Sequence, residues 1–216
     1  MKINFLGDSI TQGACASSNE KFYTALVCKA FGAKEENFGL SGTRIAEQRN
    51  KKEPCDFDRF LDRAQKMDVG ADFTFVFGGT NDYGHGDAPL GDKTCFGGDT
   101  FYGAMSELAD FFVKNFDKDR VCFILPIPRF NQDDLYGDGS KNQPIAPLST
   151  YIEIEKEVLN EYEIEFLDLS DKFYIPTTSS PFGVYQDGLH PNDEGHEYLA
   201  SLLIEYLKGK GFKKEI

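Results

Sequence analysis

The chain has 216 residues, which is enough for one domain that buries about 70% of the surface exposed by its unfolded state. Its net charge of −13 argues against nucleic acid as a partner, because nucleic acids are bound by lysine and arginine side chains that neutralise phosphates. The same charge disfavours anionic membranes, and the sequence lacks a run of about 18 apolar residues that would predict a membrane span. We therefore expect a single domain over residues 1–216 that binds neither nucleic acid nor membrane.

Segments with the patterns of strands and helices alternate along the chain. Apolar runs predict strands, in chain order, over 2–6, 37–40, 72–77, 121–125 and 165–169. Apolar residues spaced by three and four predict the intervening helices over 21–31, 57–67, 101–116, 148–162 and 192–207. Because strands that alternate with helices form parallel sheets, we expect an α/β fold with about five parallel strands and helices on both faces.

The cysteines and the N-terminus indicate where the protein works. Five scattered cysteines without Cys-x-x-Cys spacing favour reduced, mostly buried thiols over disulfides or a zinc site; they are Cys15, Cys28, Cys55, Cys95 and Cys122. The first residues lead directly into a polar motif, without the apolar stretch or the cleavage site of a signal peptide. These features predict a cytoplasmic protein.

Several polar residues and glycines follow the predicted strands. Ser9 follows the first strand, Gly42 the second, Asn81 the third, and the segment 187–190 the fifth. In open parallel sheets, functional loops lie beyond the carboxyl ends of the strands. We therefore expect these residues to meet at one edge of the sheet, although the chain separates them widely.

Ser9 is a candidate nucleophile, and His190 is its candidate base. Serine is a weak nucleophile until a positioned imidazole accepts its proton. Asp187, three residues before His190, can accept the Nδ1 proton, which fixes the tautomer and stabilises the imidazolium. Each residue alone also has a structural interpretation: Ser9 as a helix N-cap or turn residue, Asp187 as a cap of the last helix, and His190 as a surface residue.

Two further residues are candidate donors to an oxyanion. Asn81 lies in a Gly-Gly-Thr-Asn-Asp segment directly after a buried strand, where its side-chain amide could donate to a developing negative charge. Gly42 lacks a Cβ, so its backbone N–H could approach a substrate carbonyl, with the Ser9 N–H as another donor. A turn and a glycine that ends a strand explain the same residues without any function.

The order of these motifs carries a family resemblance. Gly-Asp-Ser-Ile at 7–10, Asn-x-Gly-x-Ser-Gly at 37–42, Gly-x-Asn-Asp at 79–82 and Asp-x-x-His at 187–190 each follow a different strand. In this combination the chain resembles the SGNH (GDSL-type) hydrolases from residue 7 to about residue 195. The first motif departs from the family pattern only in Ile10, which replaces leucine with another apolar residue.

The resemblance implies a three-layer α/β/α sandwich with a flavodoxin-like sheet. It implies Ser9 as nucleophile, His190 as base and Asp187 as the residue that orients the base. It also implies an oxyanion hole made of the Ser9 N–H, the Gly42 N–H and the Asn81 side chain. It implies no metal ion and no organic cofactor.

Residues around these motifs are candidates for lining the substrate pocket: Asp8, Asp82, Tyr83, His85 and Arg129. For Asp8, the favoured interpretation is that it hydrogen-bonds to loop N–H groups. His85 is favoured as an ordinary loop residue, and His196 as a surface or capping residue of the last helix. The segments 83–98, 129–147 and 174–186 are candidate pocket walls, because long ordered loops are often functional. Their aromatic, Asn and Gln residues suit a sugar as well as ordinary loop packing.

These observations favour a serine esterase that removes a short acyl group, such as acetyl, from a carbohydrate or other small molecule. The short-chain preference rests on the lack of a long apolar insertion that could bury a fatty chain. A lysophospholipase or thioesterase of the same family is the nearest alternative. A flavodoxin-like protein that binds a phosphate or nucleotide at the first loop is an alternative from another class, but it leaves Asp187 and His190 without a role.

Overall fold

A five-stranded parallel sheet forms the centre of the computed structural model, which describes residues 1–213. The strands lie side by side in the order β2-β1-β3-β4-β5, which is the flavodoxin-like order. The predicted α/β sandwich is therefore confirmed. The strands are β1 (Lys2–Gly7), β2 (Lys34–Gly39), β3 (Phe73–Phe77), β4 (Val121–Ile124) and β5 (Glu165–Leu167).

Strand β2 is longer than its sequence pattern indicates. It begins at Lys34 rather than at residue 37, and pairs with β1 from Lys2↔Lys34 to Gly7↔Gly39. Its first residues are charged because β2 is an edge strand with polar surroundings, and this hides its start from an apolar pattern. The central strand β3, by contrast, is buried at all five positions, as its apolar sequence predicts.

Seven α-helices surround the sheet in the described part of the chain. The predicted helix over 57–67 is shorter in the structure and starts only at Phe60, where the Asp62 carboxylate accepts the Arg59 backbone N–H at 2.9 Å. Two very short helices, α1 and α4, were not predicted. The helices are α1 (Ser9–Gln12), α2 (Tyr23–Phe31), α3 (Phe60–Ala64), α4 (Thr80–Gly84), α5 (Phe101–Asn115), α6 (Leu148–Glu161) and α7 (Asp193–Gly209).

Two apolar cores cover the two faces of the sheet. Side chains alternate between the faces along each strand, so Leu6 and Val76 lie in one core while Phe5 and Phe75 lie in the other. Helices α3, α5 and α6 contribute to the first core, and α2 and α7 to the second. No helix among residues 1–213 is long and apolar enough to cross a bilayer.

Histidine and cysteine burial differs from the prediction at several positions. His196 is not a surface residue but is fully buried: its Nδ1 accepts the Tyr23 N–H at 3.2 Å, and its Nε2 lies 3.1 Å from the Ala14 carbonyl. Burial lowers the pKa of this imidazole. The five cysteines are free, but only Cys28 and Cys122 are buried. The burial of His196 cannot be predicted from helical spacing, because its partners Tyr23 and Ala14 are distant in sequence.

A buried arginine on α3 joins the carboxyl ends of two strands. The Arg63 guanidinium donates to the Gly7 carbonyl at 2.6 Å and to the Phe38 carbonyl, and to the Thr43 hydroxyl at 2.7 Å. Its Nε donates to Asp58 at 2.6 Å. Burial lowers the pKa of Arg63, and the Asp58 carboxylate opposes this shift. Arg63 therefore ties the ends of β1 and β2 to the loop that follows β2.

Replacement of Arg63 should destabilise the protein strongly. Arg63→Met keeps an unbranched side chain but leaves buried carbonyl groups and Asp58 without their donor. We expect the free energy of unfolding to fall by about 3 kcal/mol, because breaking one side of a buried charged network costs roughly this much. Urea denaturation followed by circular dichroism measures the change.

The matched control is Arg120→Met, which removes a guanidinium whose side chain is 51% exposed. This substitution should change the free energy of unfolding by no more than about 0.5 kcal/mol. Equal stabilities for the two variants would contradict the structural role of Arg63.

Candidate active site

Three side chains from the two ends of the chain form a continuous hydrogen-bonded series. The Ser9 Oγ lies 2.9 Å from the His190 Nε2, and the His190 Nδ1 lies 2.7 Å from the Asp187 Oδ2. The structure thus brings together the three residues that the sequence singled out as nucleophile, base and orienting carboxylate. Neutral imidazole in this arrangement can accept the serine proton at Nε2 while Asp187 holds the proton at Nδ1.

Ser9 is positioned by a tight turn at the end of β1. A Cβ on Gly7 would lie 2.0 Å from the Thr11 Oγ1, so the close approach of α1 to the strand requires glycine here. Asp8 caps α1, since its carboxylate accepts the Ile10 N–H at 3.0 Å. Ser9 is then the first residue of the helix, where backbone N–H groups have no partner within the helix.

Asp8 has the loop-bonding position that we favoured for it. Its carboxylate is buried, and burial raises its pKa to about 6, although the hydrogen bond from Ile10 opposes the shift. The Asp8 side chain therefore serves as the N-cap of α1 and stabilises the turn that carries Ser9.

A compact turn holds His190 against Asp187. The Asp187 Oδ1 accepts the backbone N–H groups of His190 at 2.7 Å and of Leu189 at 3.0 Å, while its other oxygen faces the ring. Gly188 has a φ of +76°, in the left-handed region that favours glycine. Burial on its own would raise the pKa of Asp187, but hydrogen bonds from the His190 backbone and ring outweigh it and lower the pKa. Asp187 is thereby kept ionised beside the imidazole.

The candidate oxyanion donors come from the loops after β2 and β3. Asn81 lies on α4, and its Nδ2 donates to the Thr43 carbonyl at 3.1 Å. An amide group has two N–H donors, so this bond orients the side chain and leaves the second donor for a ligand. Gly42, immediately before Thr43, has a φ of +75°. The Arg63 contact with Thr43 therefore supports both donor loops at once.

Three residues predicted to line the substrate pocket are occupied inside the protein instead. Asp82 is buried, and its two oxygens accept the N–H groups of Ile45 and Ala46, each at 2.9 Å. Tyr83 is fully buried, and the buried Arg129 guanidinium lies 5.3 Å from the centre of its ring. These contacts correct the prediction for all three side chains, because the groups that could meet a substrate serve to hold loops.

His85 remains a candidate for contact with a substrate. Its side chain is 32% exposed, and its Nε2 lies 3.4 Å from the carbonyl of Gly42. The other ring nitrogen lies 3.3 Å from Asp138, whose pKa is lowered to about 2 by hydrogen bonds from His85 and Ser140, although burial opposes the shift. His85 thus lies on the exposed side of the loop that carries a candidate oxyanion donor.

Two residues that support the site were not predicted from the sequence. The Thr43 carbonyl orients the Asn81 side chain, and the Arg63 guanidinium holds Thr43 by donating to its hydroxyl. No motif contains them, although Arg63 lies at the edge of the apolar face of the predicted helix over 57–67. A charged residue in such a pattern was the only signal that could have found this contact.

Solved structures from several bacteria share this architecture. A Lactobacillus plantarum protein is 27% identical, with a TM-score of 0.80 and 96% of each chain covered. Est24, a carbohydrate acetylesterase from Sinorhizobium meliloti, is 15% identical with a TM-score of 0.69, covering 96% of this chain and 98% of its own. An aryl esterase from M. smegmatis is 16% identical with a TM-score of 0.67 and the same coverage.

The family comparison covers most of the chain. No curated protein sequence matches it significantly. The model of the GDSL-like lipase/acylhydrolase family, however, matches residues 5–198, a span that contains the Ser9 turn, the donor loops and the His190 segment. The chain therefore belongs to the GDSL-like lipase/acylhydrolase family and is a carboxylic ester hydrolase.

Proposed function

We propose that the protein is a serine esterase that removes a short acyl group, in the first instance acetyl, from a carbohydrate or other small molecule. The observation that carries this proposal is the series Ser9–His190–Asp187, with contacts of 2.9 and 2.7 Å, and Asn81, oriented by the Thr43 carbonyl, is the candidate amide donor. A nucleophile, a base held in one tautomer and a nearby amide donor are the groups that acyl transfer requires.

The reaction begins with attack of the Ser9 Oγ on the ester carbonyl. His190 accepts the hydroxyl proton at Nε2, and Asp187 stabilises the resulting imidazolium through the hydrogen bond at Nδ1. The carbonyl oxygen becomes an oxyanion, which accepts hydrogen bonds from the Ser9 N–H, the Gly42 N–H and the Asn81 amide.

Collapse of this tetrahedral intermediate releases the alcohol, which takes the proton from His190. The acyl group is then an ester of Ser9. Water attacks the acyl-enzyme while His190 again acts as the base, and the carboxylic acid leaves as Ser9 regains its proton. No group beyond the chain's own side chains and water is needed to balance these steps.

Two observations support a short acyl group on a carbohydrate. The sequence carries no long apolar insertion that could bury a fatty chain. Exposed aromatic residues also lie on the candidate pocket walls, with Tyr136 at 45% and Tyr174 at 81% exposure. Aromatic rings next to amide side chains suit stacking and hydrogen bonding to a sugar. The carbohydrate acetylesterase Est24 shares the fold, which supports acetyl as the first acyl group to test.

Hydrolysis of p-nitrophenyl acetate, butyrate and octanoate tests the nucleophile and the acyl preference together. We expect the wild type to prefer the short esters and Ser9→Ala to lose at least about 1000-fold in kcat, because the substitution removes the hydroxyl that forms the acyl-enzyme. Ser201→Ala, which removes an exposed serine on α7, is the matched control and should retain full activity.

The same series can contradict each half of the proposal. Equal activity of Ser9→Ala and wild type would exclude Ser9 as the nucleophile. Strong hydrolysis of octanoate without hydrolysis of acetate would instead support the lysophospholipase or thioesterase alternative. Release of acetate from acetylated oligosaccharides then tests the carbohydrate portion.

Removal of the Asn81 amide should slow the chemical step. We expect Asn81→Ala to lower kcat by about 100- to 1000-fold with little change in KM, because the donor acts mainly on the charge that develops during attack. Asn81→Asp should be at least as harmful, since a carboxylate accepts hydrogen bonds but cannot donate them.

Thermal unfolding of both Asn81 variants controls for the lost contact with Thr43. If Asn81→Asp kept wild-type kcat, the amide would not be an oxyanion donor.

Asp187→Asn tests the orienting carboxylate. The asparagine side chain has no charge to stabilise the imidazolium. Its amide can also turn its NH₂ group toward the His190 Nδ1, where a hydrogen-bond acceptor is needed. We expect kcat to fall by about 10,000-fold, the loss known for the corresponding change in serine proteases. Asp171→Asn, on the surface, is the matched control and should leave kcat unchanged. A loss below about tenfold in Asp187→Asn would show that His190 needs no orienting carboxylate.

A further inference from the structure

An exposed cysteine lies beside the candidate base. Cys15 is in the loop after α1, six residues beyond Ser9, and it is exposed. Its Sγ, one carboxylate oxygen of Asp187 and one ring nitrogen of His190 all lie within 4.8 Å of one another. The thiol has no part in the acyl-transfer steps, so its position next to two of the three reacting groups calls for another explanation.

The three side chains supply the ligands that zinc prefers. Zn²⁺ binds cysteine sulfur at about 2.3 Å and histidine nitrogen and carboxylate oxygen at about 2.0–2.2 Å, usually in a tetrahedral arrangement. Donor atoms around such an ion lie roughly 3.5 Å apart, so side-chain shifts of about 1 Å suffice to arrange the three groups around one ion. Cys15 is exposed and the Asp187 side chain is 43% exposed, so an ion can reach the group from solvent and keep a water as its fourth ligand.

This is the only group of three His, Cys, Asp or Glu side chains with converging ligand atoms among residues 1–213. The remaining cysteines are placed differently. Cys28 and Cys122 are buried, whereas Cys55 and Cys95 are partly buried and converge with no such pair. Among the described residues, Cys15 is therefore the cysteine that can bind zinc together with an imidazole and a carboxylate.

We propose that Cys15, Asp187 and His190 form a zinc site that reversibly inhibits the esterase. Inhibition rests on the function proposed above, whereas metal binding does not. Zinc coordinates the Cys15 thiolate, and the thiol proton passes to solvent without any change in oxidation state. Coordination at the His190 Nε2 prevents this nitrogen from accepting the Ser9 proton, and coordination at Nδ1 replaces the hydrogen bond to Asp187. Either mode stops the activation of Ser9.

Inhibition is measured as hydrolysis of p-nitrophenyl acetate at increasing Zn²⁺ without thiol reductants. Rates without protein are subtracted, and each variant is expressed relative to its own rate in EDTA. We expect reversible inhibition of the wild type and of the control Cys55→Ala. Cys15→Ala should need at least tenfold more zinc, because even loss of an outer-sphere partner costs roughly 10- to 100-fold in metal affinity.

Binding is measured separately with Co²⁺, whose bond to a thiolate gives a charge-transfer absorption in the near ultraviolet. We expect this absorption in the wild type and in Ser9→Ala, and its loss in Cys15→Ala. An absorption that survives in Cys15→Ala, its absence from the wild type, or equal zinc inhibition of wild type and Cys15→Ala would overturn the proposal. Undiminished ester hydrolysis by Ser9→Ala would overturn the proposed function instead, and it would leave the Co²⁺ result intact.

Discussion

The contact between the Arg63 guanidinium and the ends of β1 and β2 is the constraint on which the site depends. The carbonyl groups of Gly7 and Phe38 and the Thr43 hydroxyl all accept from this one side chain. Ser9 follows the first of these groups by two residues, and the Thr43 carbonyl orients Asn81. Since a planar guanidinium offers five donors in fixed directions, one residue holds the Ser9 turn and the loops of the candidate donors together.

Buried carboxylates continue this support beneath the other loops. Asp8 caps the serine helix, and Asp82 on α4 holds the N–H groups of the loop after β2. Burial raises the pKa of both carboxyls to about 6, so their ionised forms reduce the stability of the folded state near neutral pH. The hydrogen bonds that these two carboxylates accept hold loops with few apolar side chains in one conformation. Preorganised hydrogen-bond donors require such fixed loops.

Exposure differs among the groups around His190. Ser9 is buried and its contact with His190 is partly buried, whereas the Cys15 thiol and part of the Asp187 carboxylate are exposed. The exposed thiol and carboxylate lie where a metal ion can reach them from solvent, as the proposed zinc site requires.

The sequence by itself determined the α/β class, the main strands and helices, and the motifs that carry Ser9, Asn81 and His190. Apolar periodicity and motif order are local signals, so they can be read along the chain. The early start of β2, the short helices α1 and α4, and the burial of His196 were decided by tertiary contacts. So were the Arg63 network, the interior positions of Asp82, Tyr83 and Arg129, and the approach of Cys15 to His190. Each of these depends on partners distant in sequence, whose proximity arises only when the parallel strands bring their carboxyl ends to one edge.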